Sequence, residues 1–417
     1  MVARMVEAYK EVDDLTEIDA IGIDEDGGGT AATKTLTWGG TATAPGTIHL
    51  YVGDQYVPVA IETGDDGTAT ATKVDTAVSA VPTLPYTSGS AAAVQTLTCK
   101  WAGETGSDIV VQVNYLSGQA LPPGISVVIA DGVAGATDPS IASALAAVDG
   151  DQYDTIVIGY ADAANLTLLE NELSDRDDGV TQQPGIAFAG GFGNFAAVTG
   201  LSSARNSQYL SVVPCGENSP SAPWTVAARW AAISAEQAQI DPARPLQTLE
   251  VPGHLPPPLT NQWDFAERTL LFGQGASIWK VVGGKVVVER MRTTYLVNGL
   301  AAADTSYQDV ITLRTLSFLR FSLRTRIQLR YPRHKLAKDG TRIGPGQLVA
   351  TPVMIKGTIL NLFSEWESAG LVEDFDQFSD ELIVEINAND PDRVDVRMGP
   401  NLINAFRVFA GQIQFIK

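Results

Sequence analysis

Cysteine is nearly absent from this chain: only Cys99 and Cys215 occur in 417 residues, far apart in sequence. No CxxC and no Cys/His cluster exists, so a disulfide scaffold or a structural zinc site has nothing to build on, and two buried reduced thiols are expected. Histidine is also scarce, with only His49, His254 and His334 available as a catalytic base. No run approaches 18 apolar residues without charges or turn formers, which excludes a membrane-spanning helix. The opening MVARMVEAYKEVDD has the pattern of an amphipathic helix and lacks the apolar core and cleavage site of a secretory signal. Positive charge is thin over most of the length: residues 1–300 hold 14 Lys and Arg against 34 Asp and Glu. Residues 301–417 hold 14 of each, so the net charge of −20 belongs to the first 300 residues. Such a field repels nucleic acid and reads as a solvated acidic exterior.

What is present is globular. Hydrophobic residues make up 45% and charged residues 18%, and a chain this long needs two to four domains. Val2, Met5, Val6 and Tyr9 recur at helical spacing, and IDAIGI (residues 18–23) reads as a short buried strand. DEDGGGTAATKTLTWGG (residues 24–40) is rich in Gly and Thr, with turn signals. Period-two strands follow at residues 47–52, 95–101, 109–115 and 125–130, so 24–135 is expected to be a β-rich insertion. After residue 138 the rhythm changes. Strands at 155–160, 185–189 and 209–214 alternate with helices at 140–148, 162–173, 194–201 and 223–239, and Asp162 is placed as an N-cap. That alternation predicts an α/β fold with a largely parallel sheet covered on both faces, joined by the 18–23 strand.

A Pro-rich connection at 241–258 cannot be helical. Strands 277–282 and 285–292 flank Gly283-Gly284, a tight hairpin signal. The C-terminal part opens with a helix over 309–331, in which Leu319, Phe321, Leu323, Ile327 and Leu329 interleave with arginines. A second amphipathic helix is expected at 352–368, then extended stretches at 381–387 and 404–416. From Arg314 to Arg342 there are nine Lys and Arg and a single acid, Asp339. That is either a solvated face paired with acidic neighbours or an electropositive surface for an acidic partner.

Catalytic and ligand motifs are weak. None of the three histidines sits in a triad-like local pattern, and no GxSxG occurs. Asp24-Glu25-Asp26 before three glycines lacks the alternating spacing of a calcium loop. Gly190-Gly191-Phe192-Gly193 lacks the GxGxxG or Lys-Ser/Thr of a phosphate loop and reads as a strand-to-helix turn. No catalytic, cofactor-binding or metal-binding residue is assigned, and no cofactor is expected.

Four strings carry a resemblance: YPRHKLAKDGTRIGPGQ (residues 331–347), NANDPDRVDVRMGPNLINAFRVFAGQIQFI (387–416), DPARPLQTLEVPGHLPPP (241–258) and ADTSYQDV (303–310). They resemble contractile phage tail sheath proteins of the Mu-like branch, over the whole chain and least in 24–100. The resemblance implies a multi-domain α/β protein. Residues 1–23 and 136–300 would form a discontinuous, parallel-sheet core often described as subtilisin-like. Residues 24–135 would be an inserted β-rich domain, and 301–417 an α+β C-terminal domain. It implies a structural role: stacked hexameric rings around a tail tube, contracting to drive the tube through a host envelope. Partners would be neighbouring sheath subunits through β-strand exchange, the tail tube protein, and baseplate and terminator proteins, without direct nucleic-acid contact or membrane insertion. The place would be the virion tail, after assembly in the host cytoplasm.

Carried onto this chain, Arg314, Arg320, Arg324, Arg326, Arg330, Arg333 and Lys335 are the tube-facing candidates, and Phe406, Val408, Ile413 and Phe415 mark a C-terminal linking strand. Family members carry several tens of residues before the segment matching Arg4-Met5-Val6, so the expectation is a sequence truncated ahead of that segment, the alternative being that the N-terminal arm is absent. Three alternatives stand beside this reading: the sheath of an R-type pyocin-like particle, a hydrolase on the α/β core, and a receptor- or glycan-binding role for residues 24–135.

Overall fold

A computed structural model describes residues 1–414. The chain divides into two compact units, Met1–Glu236 with Leu246–Val310, and Gln237–Pro245 with Ile311–Lys417.

The first unit opens with α1 (Val2–Lys10), which buries Met5, Ala8 and Tyr9 on one face. Residues 18–23 do not form the expected strand. They find no partner ladder, and only Ile23 packs against the apolar cluster of the parallel sheet.

Residues 31–131 then build two antiparallel sheets and a helix. Their strands are β1 (Ala31–Gly40), β2 (Gly46–Val52), β3 (Gln55–Ile61), β4 (Tyr86–Ala91), β5 (Val94–Ala102), β6 (Val111–Val113) and β7 (Ile125–Asp131), with α2 (Gly67–Ser79) between β3 and β4. Sheet order is β4-β5-β1-β7 in one and β3-β2-β6 in the other. In β1 the alternation buries Ala32, Lys34, Leu36 and Trp38, so the stretch that reads as turns is a central strand. α2 starts at Asp66, whose carboxylate accepts from the Ala69 backbone N–H, and buries Ala71, Val74 and Val78.

The parallel part follows: α3 (Ala142–Ala147), β8 (Thr155–Ile158), α4 (Ala163–Arg176), β9 (Ile186–Gly191), α5 (Phe195–Ser203), β10 (Leu210–Pro214) and α6 (Pro223–Ile240). Order is β10-β9-β8, and both pairings are parallel. Register places Ile158, Ala189 and Val212 in one row and Ala187 with Leu210 in the next. These pack with Leu166, Leu169 and Leu173 of α4. Asp162 caps α4 as expected, accepting from the Asn165 N–H. On β9, a Cβ at Gly190 would lie 2.1 Å from the Pro223 carbonyl oxygen, so only glycine lets the start of α6 approach. α7 (Phe265–Gly273) has a capping box from Asp264 and Glu267. The hairpin β11 (Ile278–Val282) and β12 (Lys285–Arg290) turns on Gly283 and Gly284, both at positive φ.

The second unit contains α8 (Val310–Arg330), β13 (Lys335–Leu336), β14 (Val349–Ala350), α9 (Pro352–Ser368), β15 (Val372–Glu373), α10 (Phe375–Glu381), β16 (Ile383–Ile386), β17 (Val394–Arg397) and β18 (Asn401–Leu402). Its core joins Leu319 of α8 to Ile355, Ile359, Leu362, Phe363 and Trp366 of α9 and Phe378 of α10. Phe363 and Phe378 stack at 4.1 Å. β16 and β17 form an antiparallel hairpin, and β15 pairs with β18.

Candidate assembly surfaces

The three histidines occupy packing environments. His49 Nδ1 lies 2.7 Å from the Tyr56 hydroxyl, and the two rings stack. His254 is buried against the edge of Trp279. Burial, and then the neighbouring Arg229 charge, push its pKa down to about 3, so the ring is neutral at pH 7. His334 Nδ1 sits 3.1 Å from the Pro332 carbonyl oxygen. Among the described residues no histidine ring nitrogen is hydrogen-bonded to a serine hydroxyl or a cysteine thiol. Ser219 and Ser221, close to His254 in the fold, are held by the Leu255 backbone: Ser219 Oγ donates to its carbonyl, and Ser221 Oγ accepts from its N–H. Cys99 and Cys215 are free buried thiols, each raised in pKa by burial.

A charged clamp ties three distant segments of the first unit. Arg4 of α1 reaches Asp54 at 2.8 Å, at the tip of the β2–β3 hairpin. Arg229 of α6 reaches Glu11 at 2.6 Å and Asp54 at 3.2 Å. Arg229 is fully buried, and its guanidinium lies against Gly253, where a Cβ would come within 2.6 Å of Nε. Gly253 is also at φ +70°, so two constraints select glycine there. Sequence reasoning missed the clamp because its members lie up to 218 positions apart.

The basic stretch of the second unit is heterogeneous. Arg314 is buried, so it leaves the outward-facing set. Arg314, Leu313 and Thr315 are all buried in the first turns of α8, where the helix is enclosed on more than one face. Arg326 makes a two-pronged contact with Glu365 of α9, at 2.9 and 2.6 Å. Those bonds lower the Glu365 pKa. Arg320 and Arg330 are exposed on α8, and Arg333 and Lys335 are exposed in the segment after it. Phe321 and Leu329, two of the apolar positions that interleave with the arginines, are 58% and 76% exposed. With Phe318 they place an apolar row beside the arginines. Helical spacing alone does not reveal which of two apolar rows a neighbouring helix covers.

Residues 403–414 carry no strand. Phe406, Val408 and Ile413 are strongly exposed, as is Phe409. Phe415, the remaining linking-strand candidate, lies outside the described residues.

Two domain families match this arrangement: the phage tail sheath protein central domain over residues 134–294, and the phage tail sheath C-terminal domain over residues 302–416. The chain belongs to the phage tail sheath family. Within that family it is 38% identical, over 416 residues, to the Mu-like prophage FluMu tail sheath protein of Haemophilus influenzae. That alignment spans 100% of this chain and 85% of the relative. Among solved structures, the fold is similar to the sheath tail protein of Desulfitobacterium hafniense, at TM-score 0.51 and 12% identity, over 97% of this chain and 84% of the other. A sheath tail protein of Listeria innocua gives TM-score 0.51 at 13% identity, over 96% and 83%.

Proposed function

We propose that this chain is the structural subunit of the contractile tail sheath of a Mu-like phage or prophage. The observation that carries the reading is the 38% identity to a Mu-like prophage tail sheath protein along the entire chain. In this reading the subunit polymerises as stacked hexameric rings around a tail tube, and the rings repack to drive the tube through a host envelope. Residues 1–23 and 136–300 act as a subtilisin-like core domain, 24–135 as a domain inserted into it, and 301–417 as the C-terminal domain. The role in this reading is mechanical, and the similarity to a tail sheath protein supports it.

Arg320, Arg324, Arg326, Arg330, Arg333 and Lys335 are the candidates for the tube-facing surface. Charge complementarity there would set register and partner choice more than raw affinity. Phe406, Val408, Ile413 and Phe415 are the candidates for a strand donated to a neighbouring subunit. Main-chain pairing of this kind holds a mesh while its domains rotate. Tail tube, baseplate and terminator proteins are the other partners, in the virion tail after assembly in the host cytoplasm. The same device would serve an R-type pyocin-like particle.

Negative-stain electron microscopy tests the proposal. The chain is examined with a tail tube protein, beside a version extended at its N-terminus by the residues preceding the match in a sheath relative. Rings or tubes from either version support the sheath reading, and absence of assembly in both rejects it.

A further inference from the structure

The chain contains a single Asn-Gly pair, Asn298-Gly299. It stands at the tip of a short turn. Val297 bridges Ala303, and the Asn298 N–H donates to the Ala302 carbonyl at 2.9 Å. The Ala301 N–H returns to the Asn298 carbonyl at 2.9 Å, and Ala301 takes a positive φ of 57°. Gly299, Leu300 and Ala301 are exposed, Leu300 at 89%.

This turn arranges four groups around one side-chain amide. The Asn298 Oδ1 accepts from the Leu300 N–H at 3.0 Å and from the Ala302 N–H at 3.2 Å. The Asn298 Nδ2 donates to no atom among the described residues. The Gly299 N–H, next along the chain, is likewise unengaged among them. Gly299 has no Cβ to obstruct approach, and the space a Cβ would fill is open.

These are the parts of an intramolecular acyl transfer. The Gly299 nitrogen is the nucleophile, Asn298 Cγ the electrophile and Nδ2 the leaving group. Negative charge develops on Oδ1 as the nitrogen adds, and two backbone N–H groups already point at that oxygen. Nucleophile and carbonyl belong to adjacent residues, so bringing them together costs little entropy.

Other asparagines show what the arrangement adds. Asn206 Oδ1 also accepts from two backbone N–H groups, those of Leu296 and Val297. The nitrogen that would attack its amide belongs to buried Ser207 and donates to Thr294 Oγ1 at 3.0 Å. Asn218 is followed by Ser219, whose N–H donates to the Gly216 carbonyl.

We propose that Asn298-Gly299 is a self-modifying site, where the folded chain converts Asn298 into aspartate and isoaspartate through a cyclic imide. A base in the solvent removes the Gly299 amide proton, and the nitrogen bonds to Cγ. The Cγ–Nδ2 bond then breaks, and ammonia leaves after taking up a proton from water. Water opens the imide. Attack at Cγ returns aspartate with the original main chain. Attack at the Asn298 main-chain carbonyl carbon leaves the chain running through Cβ and Cγ, as isoaspartate. No atom is oxidised or reduced.

The location gives the change its weight. Residues 295–301 separate the stretch matching the sheath central domain from the stretch matching the C-terminal domain. Conversion adds a negative charge to that connection, and isoaspartate lengthens its main chain by one atom. The chemistry itself does not depend on the sheath reading.

The test compares the full chain with a synthetic peptide of residues 293–314, the fragment trypsin releases around the site. Both are held in mildly alkaline buffer, and the protein is then digested briefly. Conversion is read as the mass rise of an amide-to-acid exchange, and isoaspartate as methyl transfer by an isoaspartyl methyltransferase. The folded chain is expected to convert at least as fast as the peptide, with isoaspartate among the products. The 206–229 fragment, which holds Asn206 and Asn218, is expected to keep its amides. Gly299→Ala, whose Cβ meets no atom, is expected to stay folded by circular dichroism and to convert at least tenfold more slowly. A folded chain that converts more slowly than the peptide overturns the proposal, since the turn then protects the amide. Slowing of less than tenfold in folded Gly299→Ala overturns it too. A mass rise without isoaspartate does the same, because direct hydrolysis of the side-chain amide gives aspartate alone.

Discussion

Gly190 is a residue whose replacement has a direct consequence for the packing of α6 on β9. Its Cβ would enter the Pro223 backbone, which a side-chain rotation cannot relieve. Gly190→Ala is expected to destabilise the first unit by about 2 kcal/mol or more, read as a lower midpoint in denaturant. Asp54 comes next, because it serves two arginines in a site where Arg229 has no access to water. Asp54→Ala removes one of the two carboxylates that face buried Arg229 and leaves Glu11 as its remaining partner, at an expected cost of about 2 kcal/mol. A double-mutant cycle with Arg229→Met measures how much of that is pairwise.

Two titrating side chains act in opposite directions. His254 is depressed from 6.5 to about 3, so its neutral ring contributes stability that is complete above pH 6.5 and declines as pH falls toward 3. Asp108 is raised from 3.8 to about 7 by burial, and then by Asp138 and Glu104. Its contribution is complete below pH 4 and is lost as pH rises through 7. Urea midpoints against pH are therefore expected to flatten on the acid side in His254→Gln. In Asp108→Asn they are expected to rise most above pH 7.

At the level of elements, α8 and the C-terminal tail carry the functional expectations. α8 buries one row, containing Leu319, and exposes another, containing Phe318, Phe321 and Leu329. Replacing Arg320, Arg324 and Arg326 by Glu is expected to weaken tube decoration at least tenfold while the monomer stays folded. Arg326 also breaks from Glu365 in that variant, so a Glu365→Gln control separates the local pair from the surface effect. Deleting residues 403–417 is expected to leave the thermal midpoint nearly unchanged, because the described tail is exposed, and to abolish ring formation. A tail-deleted chain that still forms tubes rejects the linking-strand assignment.

Elements also differ in how well local sequence announces them. α9 was legible to the residue, because a proline at its first turn and apolar residues at helical spacing agree. α2 was not. GTATATKVDTAVS is poor in helix formers, and it folds as a helix because Asp66 caps it and the antiparallel sheets bury its Ala and Val face. β1 carries turn signals in its glycines and threonines, yet partners on both sides make it central. The 18–23 run is apolar enough for a strand but has no edge to join, and the ladder rather than the residues makes a strand.

For the whole molecule, the uneven charge governs association. The net −20 lies in the first 300 residues, while the last 117 are balanced and carry the basic stretch. Subunits therefore repel through one part and lack net repulsion through the other. Polymerisation of the isolated chain is expected to rise with salt, from 20 mM to 300 mM, as the repulsion is screened over about 10 Å at 0.1 M. Decoration of a tube is expected to weaken over the same range if basic side chains hold it. Light scattering for the first and co-sedimentation for the second distinguish the two contacts.

The sequence by itself determined the class of fold, the order of the parallel strands and helices after residue 138, the Gly283-Gly284 turn, the two long C-terminal helices and the family. These follow from periodicity, caps and turn residues, all of which act within about a dozen positions. Only the tertiary structure decided that residues 18–23 lie outside any sheet, that Arg314 is buried and Phe321 exposed, and that Arg4, Asp54 and Arg229 meet. Each depends on a partner far along the chain, because burial, ion pairing and register are properties of which surfaces meet rather than of neighbouring residues.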